Sequence, residues 1–262
     1  MLRNVYVRSD VPDTIECRAA AAALVVTRGA VFVDRTAAWL HGVDVFDYRE
    51  LEVLPPLECV VLRDRSRIER PECVGGERDL APYDLMTING LRVTTPLRTA
   101  LDLGCILRRP DGLAALDMFM RLHGVTREDL ERSLPRYRRR RGVVRLRSLV
   151  PLADPLAESP RESHTRLAVL DADLPAPTLQ HWVVHDGVEL FRLDLAWPKS
   201  RVALEYDGAD WHETPEQRAA DEWRRTWLRE HGWTVIVVRR GQLCIQGRQG
   251  WLAELAAALR LA

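Results

Sequence analysis

The sequence predicts a mixed α/β protein in two parts, an α+β domain over residues 1–150 and a small α/β sandwich over residues 151–262. Three observations predict it. The 262 residues exceed one average domain. Pro151, Pro155 and Pro160 fall within ten residues, as in an interdomain linker. Apolar spacing alternates between helix and strand periods, and Thr234 to Val238 is continuously β-branched, which reads as a central strand covered on both faces.

The first domain opens with a polar arm or strand over residues 1–13. Thr14 to Arg28 is alanine-rich and closed by Gly29, a helix with a C-terminal glycine. Ala30 to Val33 reads as a strand, and Thr36 to His41 as a short helix stopped by Gly42. Leu51 to Leu54 and Cys59 to Leu62 read as strands around Pro55-Pro56. Asn89-Gly90 is a hairpin turn. Thr95-Pro96 opens a helix that runs to about Leu107, with threonine as cap and proline in the first position. A second helix covers Gly112 to Leu122, and a third begins after Thr126.

In the second domain, Ser159-Pro160-Arg161-Glu162 starts a helix to about Ala172. Gln180 to Val184 and Leu190 to Trp197 form a hairpin about Asp186-Gly187. A turn at Trp197-Pro198-Lys199-Ser200 leads into a strand from Arg201 to Asp207. Glu216 to His231 is a helix ended by Gly232. Its Ala220, Trp223 and Trp227 recur at core spacing. Gly250 to Leu261 is a terminal helix.

Composition excludes several classes. With 47% hydrophobic and 29% charged residues, the chain is not intrinsically disordered. The longest apolar run, Ala19 to Val26, is eight residues and too short to span a bilayer. The first residues lack the pattern of a secretory signal, so a cytoplasmic protein is expected. Five scattered cysteines, with no Cys-x-x-Cys pair, fit neither a disulfide framework nor a zinc ribbon. Net charge is zero, but residues 1–150 hold 25 basic against 21 acidic residues and residues 151–262 the reverse excess.

Eight arginines and no acid lie between Arg132 and Arg147, with Gly142 interrupting the run. Arg138, Arg139, Arg140 and Arg141 fit either a solvated connector or a phosphate-binding patch on DNA, because guanidinium forks match phosphate geometry. Arg239, at the end of the Thr234–Val238 strand, is a second candidate for phosphate contact. Arg98 and Asp102, four apart on a helix, read as a simple ion pair.

The carboxylates carry the chemistry. Glu205 and Asp207 share one face of their strand. If Trp197 pairs with Val202 across the turn, antiparallel register sets Asp194 opposite Glu205, with Cβ atoms roughly 4.5–5.5 Å apart. Such crowding is relieved by a hard divalent cation, Mg²⁺ or Mn²⁺, which takes one or two carboxylates plus phosphate and water. His212 can return to the same rim. Glu162 follows Ser159 in a capping box, which explains it without further function.

Those residues carry a family resemblance. Ser159 to Ser163 with Glu162, then Arg192-Leu-Asp194-Leu-Ala-Trp-Pro, Val202-Ala-Leu-Glu205-Tyr-Asp207-Gly208, Asp221 and Gly232 to Arg239 resemble the nuclease-like domain related to very-short-patch-repair endonucleases. The resemblance covers about residues 155–245 and implies a restriction-endonuclease-like fold, with Asp194 and Glu205 as metal carboxylates. Asp207 stands where many such nucleases have lysine, and His212 lies one position beyond the usual Gly-x-x-His spacing. Residues 1–150 are similar to the abortive-infection antitoxin group AbiEi, through Ala38-Trp-Leu-His-Gly42 and Thr95-Pro-Leu-Arg-Thr-Ala-Leu-Asp-Leu103. Members of that group usually begin with a winged helix, of which Leu2 to Val7 matches only the last strand. Together the resemblances imply a metal-dependent DNA endonuclease, with His212 or Asp207 serving the attacking water and Glu162 auxiliary. The alternative is a non-catalytic DNA-binding regulator or antitoxin on a nuclease-like scaffold, with DNA and a toxin or defence-system component as partners.

Overall fold

A computed structural model describes residues 5–25, 29–46, 55–63, 73–207 and 215–260. The chain divides into two compact units, Met1–Ala153 and Asp154–Ala262, each with its own mixed sheet. No helix among the described residues is long and apolar enough to cross a membrane.

In unit 1, helix α1 (Ile15–Val25) buries Ile15, Ala19 and Ala22 along one face. Residues 26–28 of the expected helix and the expected strand Leu51 to Leu54 lie outside the described residues. Val5 to Val7 lies in no strand, so the described part of the expected wing strand is instead an arm. Strands β1 (Val31–Phe32), β2 (Leu57–Leu62), β3 (Cys73–Val74), β4 (Glu77–Arg78), β5 (Leu85–Ile88) and β6 (Leu91–Thr94) make one sheet in the order β3-β2-β1-β6-β5, with β4 also paired to β2. The β5–β6 hairpin turns at Asn89 and Gly90, both with positive φ (47° and 81°), as a type I′ turn requires. Helix α2 (Asp34–Leu40) carries Trp39 and Leu40 against the sheet core.

The remainder of unit 1 is helical. Helix α3 (Pro96–Ile106) is capped by Thr95 Oγ1, which accepts from the Arg98 N–H. Helix α4 (Arg109–His123) starts three residues before the expected Gly112. Pro110 lies in its first turn, where a missing N–H costs nothing. Helix α5 (Arg127–Ser133) opens with a Thr126–Asp129 capping box, and α6 (Val143–Leu149) follows.

The arginine run is no loose connector. It forms a 3₁₀ turn (Leu134–Tyr137) and the start of α6, burying Tyr137, Val143, Leu146 and Leu149. Gly142 has φ +85°, and a Cβ there would sit 2.0 Å from the Cys105 carbonyl oxygen. Only glycine allows the backbone so close to the end of α3. Nor are Arg98 and Asp102 a simple pair. Asp102 is fully buried and accepts from Arg98 Nε (2.9 Å), Arg78 Nη1 (3.1 Å) and the Tyr137 hydroxyl (2.6 Å), with Arg140 Nη1 3.0 Å away. Asp84 accepts from Arg98 and Arg136, and Asp34 from both terminal nitrogens of Arg78.

Unit 2 is a sheet between helices. Helix α7 (Pro160–Asp171) precedes strands β7 (Thr178–His185), β8 (Val188–Trp197) and β9 (Val202–Asp207). Helix α8 (Pro215–Glu230), strand β10 (Thr234–Arg239) and helix α9 (Arg248–Arg260) complete it. The sheet order is β10-β9-β8-β7, antiparallel except for β9 with β10. Hence β10 is an edge strand and not the expected central one. Its apolar run reflects cover on its faces, where Ile236 and Val238 pack with Trp251 and Leu255 of α9 and Val235 packs with Leu228 of α8.

Candidate functional site

The site forms where β8 and β9 leave their shared turn. Trp197 pairs with Val202, Ala196 with Ala203 and Leu195 with Leu204. One step further, the register sets Asp194 against Glu205. On the other side of β8, Leu179 pairs with Leu195 and His181 with Leu193, which sets Gln180 against Asp194. Gln180, Asp194 and Glu205 therefore form a row across three strands. On β9, Leu204 packs into the α7–α9 core and Ala203 into the α8 core, so Glu205 turns to the α8 side; on β7 and β8 the alternation breaks at Gln180 and Asp194, because Leu179 and Leu195 pack into the α7–α9 core but Val183 and Leu193 into the α8 core.

Glu162 enters from the first turn of α7. One carboxylate oxygen accepts from the Ser159 hydroxyl (2.8 Å), and the other from the Glu158 N–H and the Gln180 side-chain amide (both 2.9 Å). The Glu162 N–H in turn donates to Ser159 Oγ. The Ser159 cap is thus present, but Glu162 takes the Glu158 N–H in place of the Ser159 N–H that the expected capping box requires, and through Gln180 it ties α7 to the carboxylate row. Gln180 reaches Glu162 from a left-handed backbone conformation (φ +50°), an uncommon state for a non-glycine residue.

Electrostatics differ sharply along the row. Burial, with Glu162 and Glu205 nearby, pushes the Asp194 carboxyl up to about 6, against the weaker opposing pull of Arg224 and Arg192. Glu205 is buried, but Arg224 of α8 grips it through Nη2 to Oε1 (2.5 Å) and Nη1 to Oε2 (3.1 Å). The same Arg224 donates to the Arg192 carbonyl. Asp207, further along β9, lies 3.4 Å from Arg225 and pairs in register with Arg239 of β10. Two successive arginines on α8 thus answer two alternate acids on β9.

The oxygen donors of the row suit a hard cation in kind. Asp194 and Glu205 offer carboxylates, and Gln180 Oε1 is buried with no hydrogen-bond partner among the described residues. Arg224 occupies both oxygens of Glu205, so a metal and Arg224 compete for the same carboxylate. Among the described residues no three His, Cys, Asp or Glu side chains converge as a metal-binding group. His212 lies outside the described residues.

Two participants escaped the sequence. Gln180 was legible only through the two-strand register that also aligns Asp194 with Glu205. Arg224 sits on an amphipathic helix, where its spacing suggests only a solvated face. Trp223 is 62% exposed and not in the core; it meets Phe191 edge-on at the rim of the α8 side. Arg239 is exposed, as are Arg138, Arg139 and Arg141, whereas Arg140 is drawn to Asp102.

Comparisons with known proteins place the two units unequally. Residues 29–152 match the model of the AbiEi antitoxin C-terminal domain. Two uncharacterized proteins of Mycobacterium tuberculosis, one from strain CDC 1551 / Oshkosh and one from strain H37Rv, are each 36% identical over 203 residues, covering 78% of this chain and 72% of the relative. No solved structure matches.

Proposed function

Because this chain belongs to the same family as the two mycobacterial proteins, and its first unit carries an AbiEi-antitoxin-type domain, we propose that it works as an antitoxin-type regulator. In this role unit 1 engages a toxin or another defence-system component, and unit 2 is a nuclease-like scaffold. The match over residues 29–152 carries the proposal. The grip of Arg224 on Glu205 supports it, because it neutralises an acid that metal-dependent cleavage would need open. The test is growth rescue on co-expression with an AbiE-type toxin. The wild-type chain is expected to restore growth, and a chain carrying Asp194→Asn and Glu205→Gln to restore it equally. Failure of the wild-type chain to rescue would overturn the antitoxin role.

A second function has its own support. Asp194 is crowded by two other carboxylates, which is costly unless the site uses that charge. A Mg²⁺- or Mn²⁺-dependent DNA endonuclease would hold the ion on Asp194 and Glu205, with Gln180 Oε1 beside them. The ion would supply Lewis-acid stabilisation of the scissile phosphate. Asp207 or His212 would orient the attacking water, and Glu162 would position Gln180. Incubation with plasmid and single-stranded DNA, with and without Mn²⁺, decides between the two functions. Metal-dependent cleavage that disappears in Asp194→Asn would put the nuclease first.

A further inference from the structure

The arginines around the carboxylate row are not equivalent. Arg192 pairs with Glu158 at 2.7 Å, outside the row. Arg225 lies 3.4 Å from Asp207, a single long contact. Among the described residues, Arg224 alone is ion-paired to a member of the row. Its Nη1 and Nη2 meet the two oxygens of Glu205, and Nη2 gives its second hydrogen to the Arg192 carbonyl of β8. The guanidinium also lies 5.9 Å from the centroid of the Phe191 ring. Contacts on β8 and β9 thus fix a side chain carried by α8.

Two properties make this pair hard to displace. A two-pronged arginine–carboxylate pair is stronger and more closely oriented than a single ion pair. The Glu205 and Arg224 side chains are only 8% and 24% exposed, so water screens the pair less than it would at an open surface. Removing Glu205 from Arg224 leaves a half-buried guanidinium without its carboxylate, which is costly.

The row offers the oxygens that a hard divalent ion takes. Glu162 is answered by three hydrogen-bond donors. The charges of Glu162 and Glu205 both reach Asp194. Arg224 supplies the row's positive charge, and it does so on the same two Glu205 oxygens that a metal would need. A divalent ion entering the row therefore meets two obstacles. One ligand is occupied, and the guanidinium that would have to leave it stays close by as a like charge.

We propose that Arg224 is the resident cation of the carboxylate row and excludes divalent metal from it. The inference rests on unit 2 acting as a scaffold, as in the antitoxin-type role, and it makes Arg224 the residue that decides which cation these acids accept. Calorimetric titration of the full chain with Mn²⁺ tests it. The wild-type chain is expected to bind with a dissociation constant of about 1 mM or weaker. Arg224→Gln should tighten binding about ten-fold or more, and adding Asp194→Asn to that variant should return it to the wild-type level. Arg224→Met, which keeps the aliphatic stem, should show the same gain. Arg225→Gln removes the same charge one position along and should leave the affinity unchanged. Mn²⁺ should also raise the urea midpoint of unit 2 in the Arg224 variants and not in the wild type, because a ligand stabilises the state that binds it. Wild-type binding tighter than about 0.1 mM would overturn the proposal, since the row would then accept metal with Arg224 in place. No gain in either Arg224 variant would overturn it, as would an equal gain in Arg225→Gln, which would make the effect one of overall charge. Binding that persists after Asp194→Asn would place the ion elsewhere, with the same consequence. Growth rescue is read separately, so failure of the antitoxin role and failure of metal exclusion remain distinguishable.

Discussion

Asp102 in unit 1 and Asp194 in unit 2 are surrounded by the same kinds of residue in opposite proportions. Asp102 has no solvent exposure and meets three arginines and a tyrosine hydroxyl. Asp194 is partly exposed and has two carboxylates as neighbours, with arginines acting on it only from a distance. Where cations outnumber acids, the acid anchors structure and holds the cations in place. Where acids outnumber cations, the acid keeps its proton towards neutral pH, and the site stores repulsion that a ligand, a proton or an arginine can relieve.

The largest expected effect is on the anchored side. Asp102→Ala leaves three guanidinium groups and a buried hydroxyl without their common acceptor, a loss of about 3–5 kcal/mol. Urea unfolding should show the unit 1 transition collapse while that of unit 2 stays. A shift below about 1 kcal/mol would mean that Asp102 is no anchor.

Asp194→Asn should act in the opposite direction. In the folded chain Asp194 holds its proton up to about pH 6, against an ordinary value of 3.8. The stability linked to that proton is complete below about pH 4 and is lost as pH rises through 6. Asparagine removes the repulsion, so at pH 8 the variant should be more stable by about 1–2 kcal/mol, allowing for partial exposure. The gain should be absent at pH 4. Equal midpoints for both proteins at pH 8 would show that Glu162 and Glu205 do not press on Asp194.

A smaller effect separates the units by pH alone. Burial lowers the pKa of His41 from its ordinary 6.5, and its ring Nε2 lies 2.7 Å from the Thr94 carbonyl. The unfolded chain takes up this proton first, so unit 1 gains stability as pH rises towards 6.5 and loses it below. Between pH 7.5 and pH 5 the unit 1 midpoint should therefore fall, and His41→Gln should flatten that fall. Unit 2 should move the other way over the same interval.

The smallest effects sort the arginine run. Arg138→Ala, Arg139→Ala and Arg141→Ala should each leave stability within about 0.5 kcal/mol. If the chain binds duplex DNA, each lost contact should flatten the log–log salt slope by roughly 0.9. Arg140→Ala should instead lower the unit 1 midpoint. Four equal results would erase the distinction between exposed and anchored arginines.

Much of this was legible in the chain. Asn89-Gly90, Thr95-Pro96 and Ser159-x-x-Glu162 each name a local structure through their own chemistry, and the structure has a turn or a cap at each. The alignment of Asp194 with Glu205 follows from a short turn and the two-residue strand period. What was not legible depends on distant partners. Arg98 and Asp102 are a helical pair until Arg78, Tyr137 and Arg140 arrive from elsewhere in the chain. The strand at Thr234 to Val238 is apolar enough for the sheet centre, but composition reports cover on its faces and not its lateral neighbours. Trp223 keeps core spacing on a helix whose apolar stripe extends past the sheet it covers.

Strand β7 lies at the sheet edge, and an open edge is a template on which a second chain can add a strand. Gln180 breaks this template with its left-handed backbone near the start of β7, and a bulge between Val183 and Val184 breaks it again near the end. What remains between them is too short and too bent to recruit a partner strand, although Trp182 and Val184 are exposed there. The distortion that aims the Gln180 amide at Glu162 therefore also guards the molecule against edge-to-edge aggregation. Relaxing Gln180 into regular extended backbone would cost the site its tether and the protein part of its solubility together.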